Sequence, residues 1–320
     1  MKKYQQLMNE GLVYIKRHPQ YPIFLLNYTQ RTQYHQKRCK ELIHARGLVV
    51  AEDGEILALP LPKFFNQHEI MDWEELGEYE VYEKMDGSLA IMFHYENQPI
   101  FCTRGSFISE QAVKAQQIFT AKYNHDLVNK ECTYCFEVIY PQNKIVVDYM
   151  DTEDLFLISI THTTSGKEIN NDKAGFKTVN KVDKNQFLSG TDVANMEGYV
   201  VKFITGRPLR VKYKFDSYVE KHKGKTVSIA AIKRSMKKME SINLTDIPDE
   251  CYEEVKAIQT QMENEIECKR KKIESEYESI VKKSKSTRDV IEAIKQSESR
   301  SILFAIHRNK PNEMLLWKSV

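Results

Sequence analysis

Little in this chain suits it to a membrane, an oxidising compartment or long-range attraction of a polyanion. Across 320 residues no apolar run approaches membrane-spanning length, and Met1-Lys2-Lys3-Tyr4-Gln5 lacks the apolar core of a signal segment. A cytoplasmic setting is therefore expected, the cell's own or a host's. The six cysteines form no disulfide-like framework, which points the same way. Cys132-Thr133-Tyr134-Cys135 has the spacing of half a zinc site, but it lacks a second pair and falls in a strand-like run whose alternate residues face opposite sides. Free structural thiols are expected there. The nine histidines, His94 and His162 among them, show no metal-ligand spacing. The formal net charge is only +2 although 29% of residues are charged, so a polyanionic partner must be met by local clusters of Lys and Arg.

The length admits one large core with an appendage, or two domains. From about Arg46 to Lys214 the chain reads as short strands separated by turns, with Gly47–Ala51, Ile56–Leu59, Tyr79–Tyr82, Leu89–Phe93, Thr133–Ile139, Lys144–Asp148, Leu155–Thr161, Gly198–Ile204 and Leu209–Tyr213 as candidates. The clearest helix is Ser109–Tyr123, with Ser109 as N-cap and Glu110 in its first turn. This predicts an α+β core of mainly antiparallel sheets flanked by helices over residues 1–222. After His222-Lys223-Gly224-Lys225 strand signals stop. Val255, Ile258, Met262, Ile266, Ile273, Tyr277, Ile280 and Val281 then recur at helical spacing, predicting an all-α domain over 223–320. Pro248-Asp249 marks the start of its long helix, and Ser286-Thr287 caps another running from Arg288 towards Ala305. The clusters Lys269–Lys272 and Lys282–Lys285 are interleaved with glutamates and read as solvated helix face, with RNA phosphate contact as the other reading.

The chemistry concentrates on Glu83-Lys84-Met85-Asp86-Gly87-Ser88, a loop between two strand-like runs whose glycine permits a sharp turn. A lysine amine attacks phosphorus only when unprotonated, and a free lysine near pKa ~10.4 is almost wholly charged at neutral pH, so its neighbours must be cations or apolar. On its own the tetrapeptide is as well read as a hairpin turn. Phe136-Glu137-Val138, however, places a lone carboxylate in an apolar strand, where a ribose hydroxyl or a metal would explain its presence. Glu197-Gly198-Tyr199-Val200-Val201-Lys202 repeats that pattern, and two strand-borne carboxylates suit magnesium. Arg210-Val211-Lys212-Tyr213-Lys214 sets three cations on one side of a strand, a repulsive arrangement unless a polyanion such as a triphosphate lies across it. Arg46, Lys63 and Arg104 add further cations.

In that order, Lys84-Met85-Asp86-Gly87, Glu137, Glu197-Gly198-Tyr199-Val200 and Lys212-Tyr213-Lys214 resemble the motif series of the covalent nucleotidyltransferases, which include polynucleotide ligases and mRNA capping enzymes. Ala45-Arg46-Gly47, Lys63-Phe64-Phe65-Asn66, Gly105-Ser106, Ser109-Glu110-Gln111-Ala112 and Asn143-Lys144-Ile145-Val146 bring the likeness nearest to the phage-type ATP-dependent RNA ligases that repair broken tRNA. It covers roughly residues 40 to 222. The resemblance implies ATP as cosubstrate and magnesium, with manganese as the alternative ion. It implies Lys84 as the nucleophile that takes AMP, Glu137 as the ribose contact, Lys212 and Lys214 as the α-phosphate clamp, and Glu197, with Asp86, on the metal side. Arg46 and Lys63 resemble contacts to the departing pyrophosphate, Arg104 a contact to the nucleotide sugar, and Phe156 or Val200 would support the adenine. The implied partner is RNA bearing 5′-phosphate and 3′-hydroxyl ends, such as cleaved tRNA, alongside a separate end-healing kinase or phosphatase. Residues 167–195 carry little family pattern. A DNA ligase, a GTP-using capping enzyme and a non-catalytic RNA-binding scaffold are the rival readings, and the helical tail, where the first two usually carry a small β-barrel, favours RNA-end joining. A coiled-coil partner module over residues 250–285 is compatible with any of them.

Overall fold

In the computed structural model, residues 2–34, 39–70, 76–169, 175–205, 209–226, 229–240 and 252–319 are described. The chain divides into two compact units, Met1–His222 and Lys223–Val320. Among the described residues no helix is long and apolar enough to cross a membrane.

The first unit holds, in chain order, β1 (Val13–Arg17), β2 (Ile23–Tyr28), β3 (Arg46–Ala51), β4 (Ile56–Ala58), β5 (Phe65–Asn66), β6 (Tyr79–Glu83), β7 (Ser88–Tyr95), β8 (Gln98–Cys102), β9 (Cys132–Ile139), β10 (Asp154–His162), β11 (Glu168–Ile169), β12 (Lys177–Thr178), β13 (Lys181–Val182), β14 (Gly198–Phe203) and β15 (Arg210–Lys214). They form three sheets, ordered β1-β2-β3-β4, β11-β10-β9-β7-β8 with β12 beside β10, and β13-β6-β14-β15-β5. Only the β10–β12 and β15–β5 pairs are parallel among those described.

Period-two alternation explains the layering. In β7, Ala90 and Met92 join Phe136, Val138 and the helix residues Ala115, Ile118 and Phe119 in one core, while Ile91 and Phe93 point the other way, to Ile23, Leu25 and Val49 of the first sheet. The middle sheet is thus packed on both faces. Glu137 of β9 lies on the Cys135 side and is registered against Leu89 and Phe156. The third sheet buries Val81, Tyr199, Val201 and Val211 on one face. By alternation its other face carries Glu80, Tyr82, Val200, Lys202, Arg210, Lys212 and Lys214.

The helix Glu110–Lys122 has the expected cap, with the Ser109 side chain accepting from Ala112 N. Cys132 and Cys135 are free, and they pack into different cores on opposite faces of the middle sheet. Three sequence expectations need correction. β6 and β7 do not pair, because they belong to different sheets, so the Lys84 loop is a crossover. Residues 144–148 are not a strand: the Val146 and Val147 amides donate to Asp86 instead of to a neighbouring strand. The two strands Val13–Arg17 and Ile23–Tyr28 had no counterpart among the sequence candidates.

The second unit is helical, with Tyr252–Lys283 the longest element and Ile266, Ile273, Val290, Ile294, Ile302, Leu303 and Leu316 in its core. The start foreseen at Pro248-Asp249 lies outside the described residues. Val281, expected on the apolar stripe, is 46% exposed. The helix capped by Ser286 ends at Gln296, and a second one runs from Arg300 to His307. The serines between them bond locally, Ser299 N to Ser297 Oγ at 3.0 Å, and so compete with continuation. In the first basic cluster, Arg270 pairs with Glu313 at 2.7 Å and Lys271 with Glu267 at 3.5 Å, as on a solvated face.

Candidate active site

Lys84 sits at the crossing point between the third and middle sheets, where β6 ends and β7 has yet to begin. Its amide donates to Gly198 O at 2.9 Å, tying the loop to the start of β14. Two glycines make this closeness possible. A Cβ on Gly87 would lie 2.5 Å from Ile139 Cδ1 and 2.6 Å from Val138 O, so this residue is glycine because the loop runs against β9, not because it needs a left-handed turn. Gly198 has φ +146°, and a Cβ there would lie 2.0 Å from Tyr213 O. That contact brings the preceding Glu197 beside Lys214, the register partner of Gly198.

Glu197 is the hub. Its side chain is only 3% exposed, and Oε2 accepts from Lys84 Nζ at 2.7 Å while Oε1 faces Lys214 Nζ at 3.2 Å. A buried carboxylate is tolerable only when its charge is met. Here two cations meet one anion, so the trio keeps net positive charge. Lys212, opposite Val200 and beside Asn66, extends that face.

Glu137 approaches from the middle sheet, accepting from Gly87 N at 3.1 Å. Burial pushes its carboxyl up to about 7; Lys84 pulls it down and Glu197 pushes it up. Of the two expected adenine supports, Phe156 is Glu137's neighbour in β10 and stays partly exposed, with Lys177 Nζ 5.8 Å from its ring, and Val200 is on the opposing sheet.

Arg46 and Arg104 lie close to each other. Burial, then the charge of Arg104, lowers the Arg46 guanidinium from its ordinary value. The Arg46 and Arg210 guanidinium groups each lie 5.7 Å from the Phe64 ring. Lys63 is turned elsewhere: Nζ binds both oxygens of Glu69, at 2.7 and 3.0 Å, so this geometry does not join it to Lys84. Asp86 also departs from expectation. Oδ2 accepts from Val146 N and Val147 N and Oδ1 from the Tyr218 hydroxyl, at 2.8, 2.8 and 2.7 Å, and the residue is 3% exposed. Both oxygens are engaged by protein donors, so the arrangement makes Asp86 a fastener of the loop.

Sequence reasoning passed over three residues. The hydroxyls of Tyr149 and Tyr218 hold the two ends of Asp86, and neither has a local pattern to mark it. Glu168, from the stretch without family pattern, links Lys202 at 2.7 Å and Arg210 at 2.6 Å. The cation row therefore ends in a carboxylate, which relieves part of its repulsion.

Among the described residues no cluster of three or more His, Cys, Asp or Glu could hold a metal ion. An ion bound through one or two carboxylates, substrate phosphates and water needs none. Glu197 and Glu137, close enough to influence each other's charge, fit that donor set.

The family model described as RNA ligase matches residues 44–219, more than half of the chain. The fold is similar to a candidate ATP-dependent DNA ligase from Aquifex aeolicus, at 17% identity over 93% of this chain and 88% of that one, with a TM-score of 0.53. It is also similar to a Naegleria gruberi RNA ligase solved with PPi, at 19% identity over 51% of this chain and 57% of that one, with a TM-score of 0.42. An archaeal ATP-dependent RNA ligase aligns at 12% identity over 79% of this chain and 70% of that one, with a TM-score of 0.47. The chain thus spans little more than half the length of the Naegleria protein. At these identities the Aquifex likeness speaks to the fold alone.

Proposed function

The chain belongs to the RNA ligase family, and from that premise we propose that it joins a 5′-phosphate to a 3′-hydroxyl of RNA with ATP as cosubstrate. The observation that carries the reading is the Lys84–Glu197–Lys214 trio, a nucleophile and a clamp sharing one buried carboxylate. In the first step the Lys84 proton passes by way of Glu197 to solvent; Nζ bonds to the ATP α-phosphorus and the bond to the β-phosphate oxygen breaks, releasing pyrophosphate. In the second an RNA 5′-phosphate oxygen bonds to the AMP phosphorus as its bond to Nζ breaks, and Lys84 takes back a proton from solvent and leaves as the amine. In the third a 3′-hydroxyl oxygen attacks the RNA phosphorus, loses its proton and expels AMP.

Each step moves charge among phosphate oxygens, so fixed cations and positioning supply the catalysis. Lys214 and Lys212 act on the α-phosphate, Glu137 on the ribose, Arg46 on the departing pyrophosphate and Arg104 on the nucleotide sugar. Phe156 or Val200 supports the adenine. Magnesium or manganese would be held by Glu197 with help from Glu137, and when bound would supply further positive charge. Residues 1–222 serve as the adenylyltransferase domain and 223–320 as a separate helical one; repair of cleaved tRNA, with ends prepared by another enzyme, is the physiological setting.

The test is incubation with α-labelled ATP and magnesium, followed by a 5′-phosphorylated RNA. Label is expected first on Lys84, then on the RNA 5′ end, and free AMP appears as the strand is joined. GTP and DNA ends serve as controls. A chain that takes no label, or takes it from GTP in preference, overturns the assignment.

A further inference from the structure

The polar residues at the edge of the first sheet face the active-site loop that follows β8, and the family match, which begins at residue 44, does not reach them. We infer that this edge is a docking track for single-stranded RNA, leading away from Arg104. The identity of the polymer rests on the ligase reading above; the surface itself does not.

Tyr14, Lys16 and His18 alternate along β1 and just beyond it, so they share one side. That side runs along residues 103–108. A Cβ on Gly105 would lie 2.7 Å from the Tyr14 hydroxyl, and the His18 ring meets Phe107 edge-on with centroids 4.8 Å apart. Lys16 Nζ lies 5.9 Å from the Tyr14 ring centroid. Both rings are held in place. Asn27, 7% exposed, donates to the Tyr14 hydroxyl at 3.1 Å, and His18 Nδ1 accepts from Gln20 N and Tyr21 N at 3.1 and 3.2 Å. Asn27 Oδ1 is buried with no hydrogen-bond partner among the described residues, a polar atom left over beside the row.

Charge identifies the occupant. Inside the cleft Lys84, Lys202, Arg210 and Lys214 each face a carboxylate within 3.2 Å. Lys16 and Arg104 form no ion pair among the described residues, and both are exposed. Unpaired cations beside fixed aromatic faces are what a single strand of RNA requires, its phosphates on the first and its bases on the second. β1 is also the edge of its sheet, but Lys16 and Arg17 discourage pairing with a further protein strand.

The variant Lys16→Glu tests the track, with binding of a short fluorescein-labelled, 5′-phosphorylated RNA read by anisotropy across a salt series. Losing one phosphate contact should weaken binding about threefold at moderate salt and flatten the plot of log affinity against log salt by about 0.7. Label transfer from ATP to Lys84 should be unchanged. Wild-type RNA affinity and slope in the variant would overturn the track, as would an equal loss of ATP labelling, which would mean general damage; binding of a peptide strand with no effect on RNA would also overturn it. If the parent chain takes no label from ATP while the variant still loses RNA affinity, the ligase reading falls and the track stands.

Discussion

Replacing Glu137 by Gln isolates a group whose charge the fold resists. In the folded chain its carboxyl sits at about 7 against an ordinary 4.5, chiefly because burial disfavours the anion and Glu197 lies near. Below about 4.5 the folded and unfolded chains both hold the proton, and the group contributes no pH dependence. Between about 4.5 and 7 the folded chain keeps a proton that the unfolded chain has released, so stability falls as pH rises, and above 7 the loss is complete. Each unit of difference corresponds to ~1.4 kcal/mol. Glu137 keeps some contact with water, so roughly half of the full value, about 2 kcal/mol, is the reasoned size. Glutamine preserves the shape and the acceptor for Gly87 N but never ionises. Urea unfolding at a series of pH values from 5 to 8 should show the variant gaining on the parent as pH rises, by about 2 kcal/mol in all, and levelling off above 7. A difference that is flat over this range, or that grows as pH falls, would refute the claim that Glu137 is held against its charge.

Lys84→Ala should remove ATP labelling by at least a thousandfold while leaving the thermal midpoint within a few degrees; retained label on a gel would remove Lys84 from the nucleophile's role. Gly198→Ala puts a methyl 2.0 Å from Tyr213 O, so it should cost ~3 kcal/mol or more in denaturant unfolding, and full stability would mean that β14 and β15 are less rigid than described. Asp86→Ala strips two backbone amides and the Tyr218 hydroxyl of their acceptor. A loss of about 3 kcal/mol is expected by thermal or urea unfolding, because buried donors are left unmet. An unchanged stability with a shifted magnesium requirement would favour the metal role.

The residues most legible in the sequence were those whose chemistry is carried by a short local pattern. Glu197-Gly198 could be read because two neighbouring residues do inseparable jobs, the glycine admitting the Tyr213 carbonyl and the glutamate reaching two lysines as a result. The alternation of Arg210, Lys212 and Lys214 was equally visible, since a period of two needs no knowledge of partners. What stayed hidden depended on where those side chains find their partners. Lys63 was read as a pyrophosphate contact, and nothing local announced that Glu69, six residues on, would hold it with both oxygens. Asp86 was read on the metal side, and hidden from that reading was that its oxygens accept from Tyr218 and from the backbone at Val146 and Val147, bonds that also explain why an apolar run at 144–148 fails to become a strand. Glu168 stood in a stretch with no pattern, yet it holds the two outermost cations of the row. Its pairing gives the far end of the row the same arrangement as the near end. Lys202 and Arg210 share Glu168 just as Lys84 and Lys214 share Glu197, so at both ends of the face two cations meet one carboxylate, and a phosphate arriving at either end finds two positive groups already held in place.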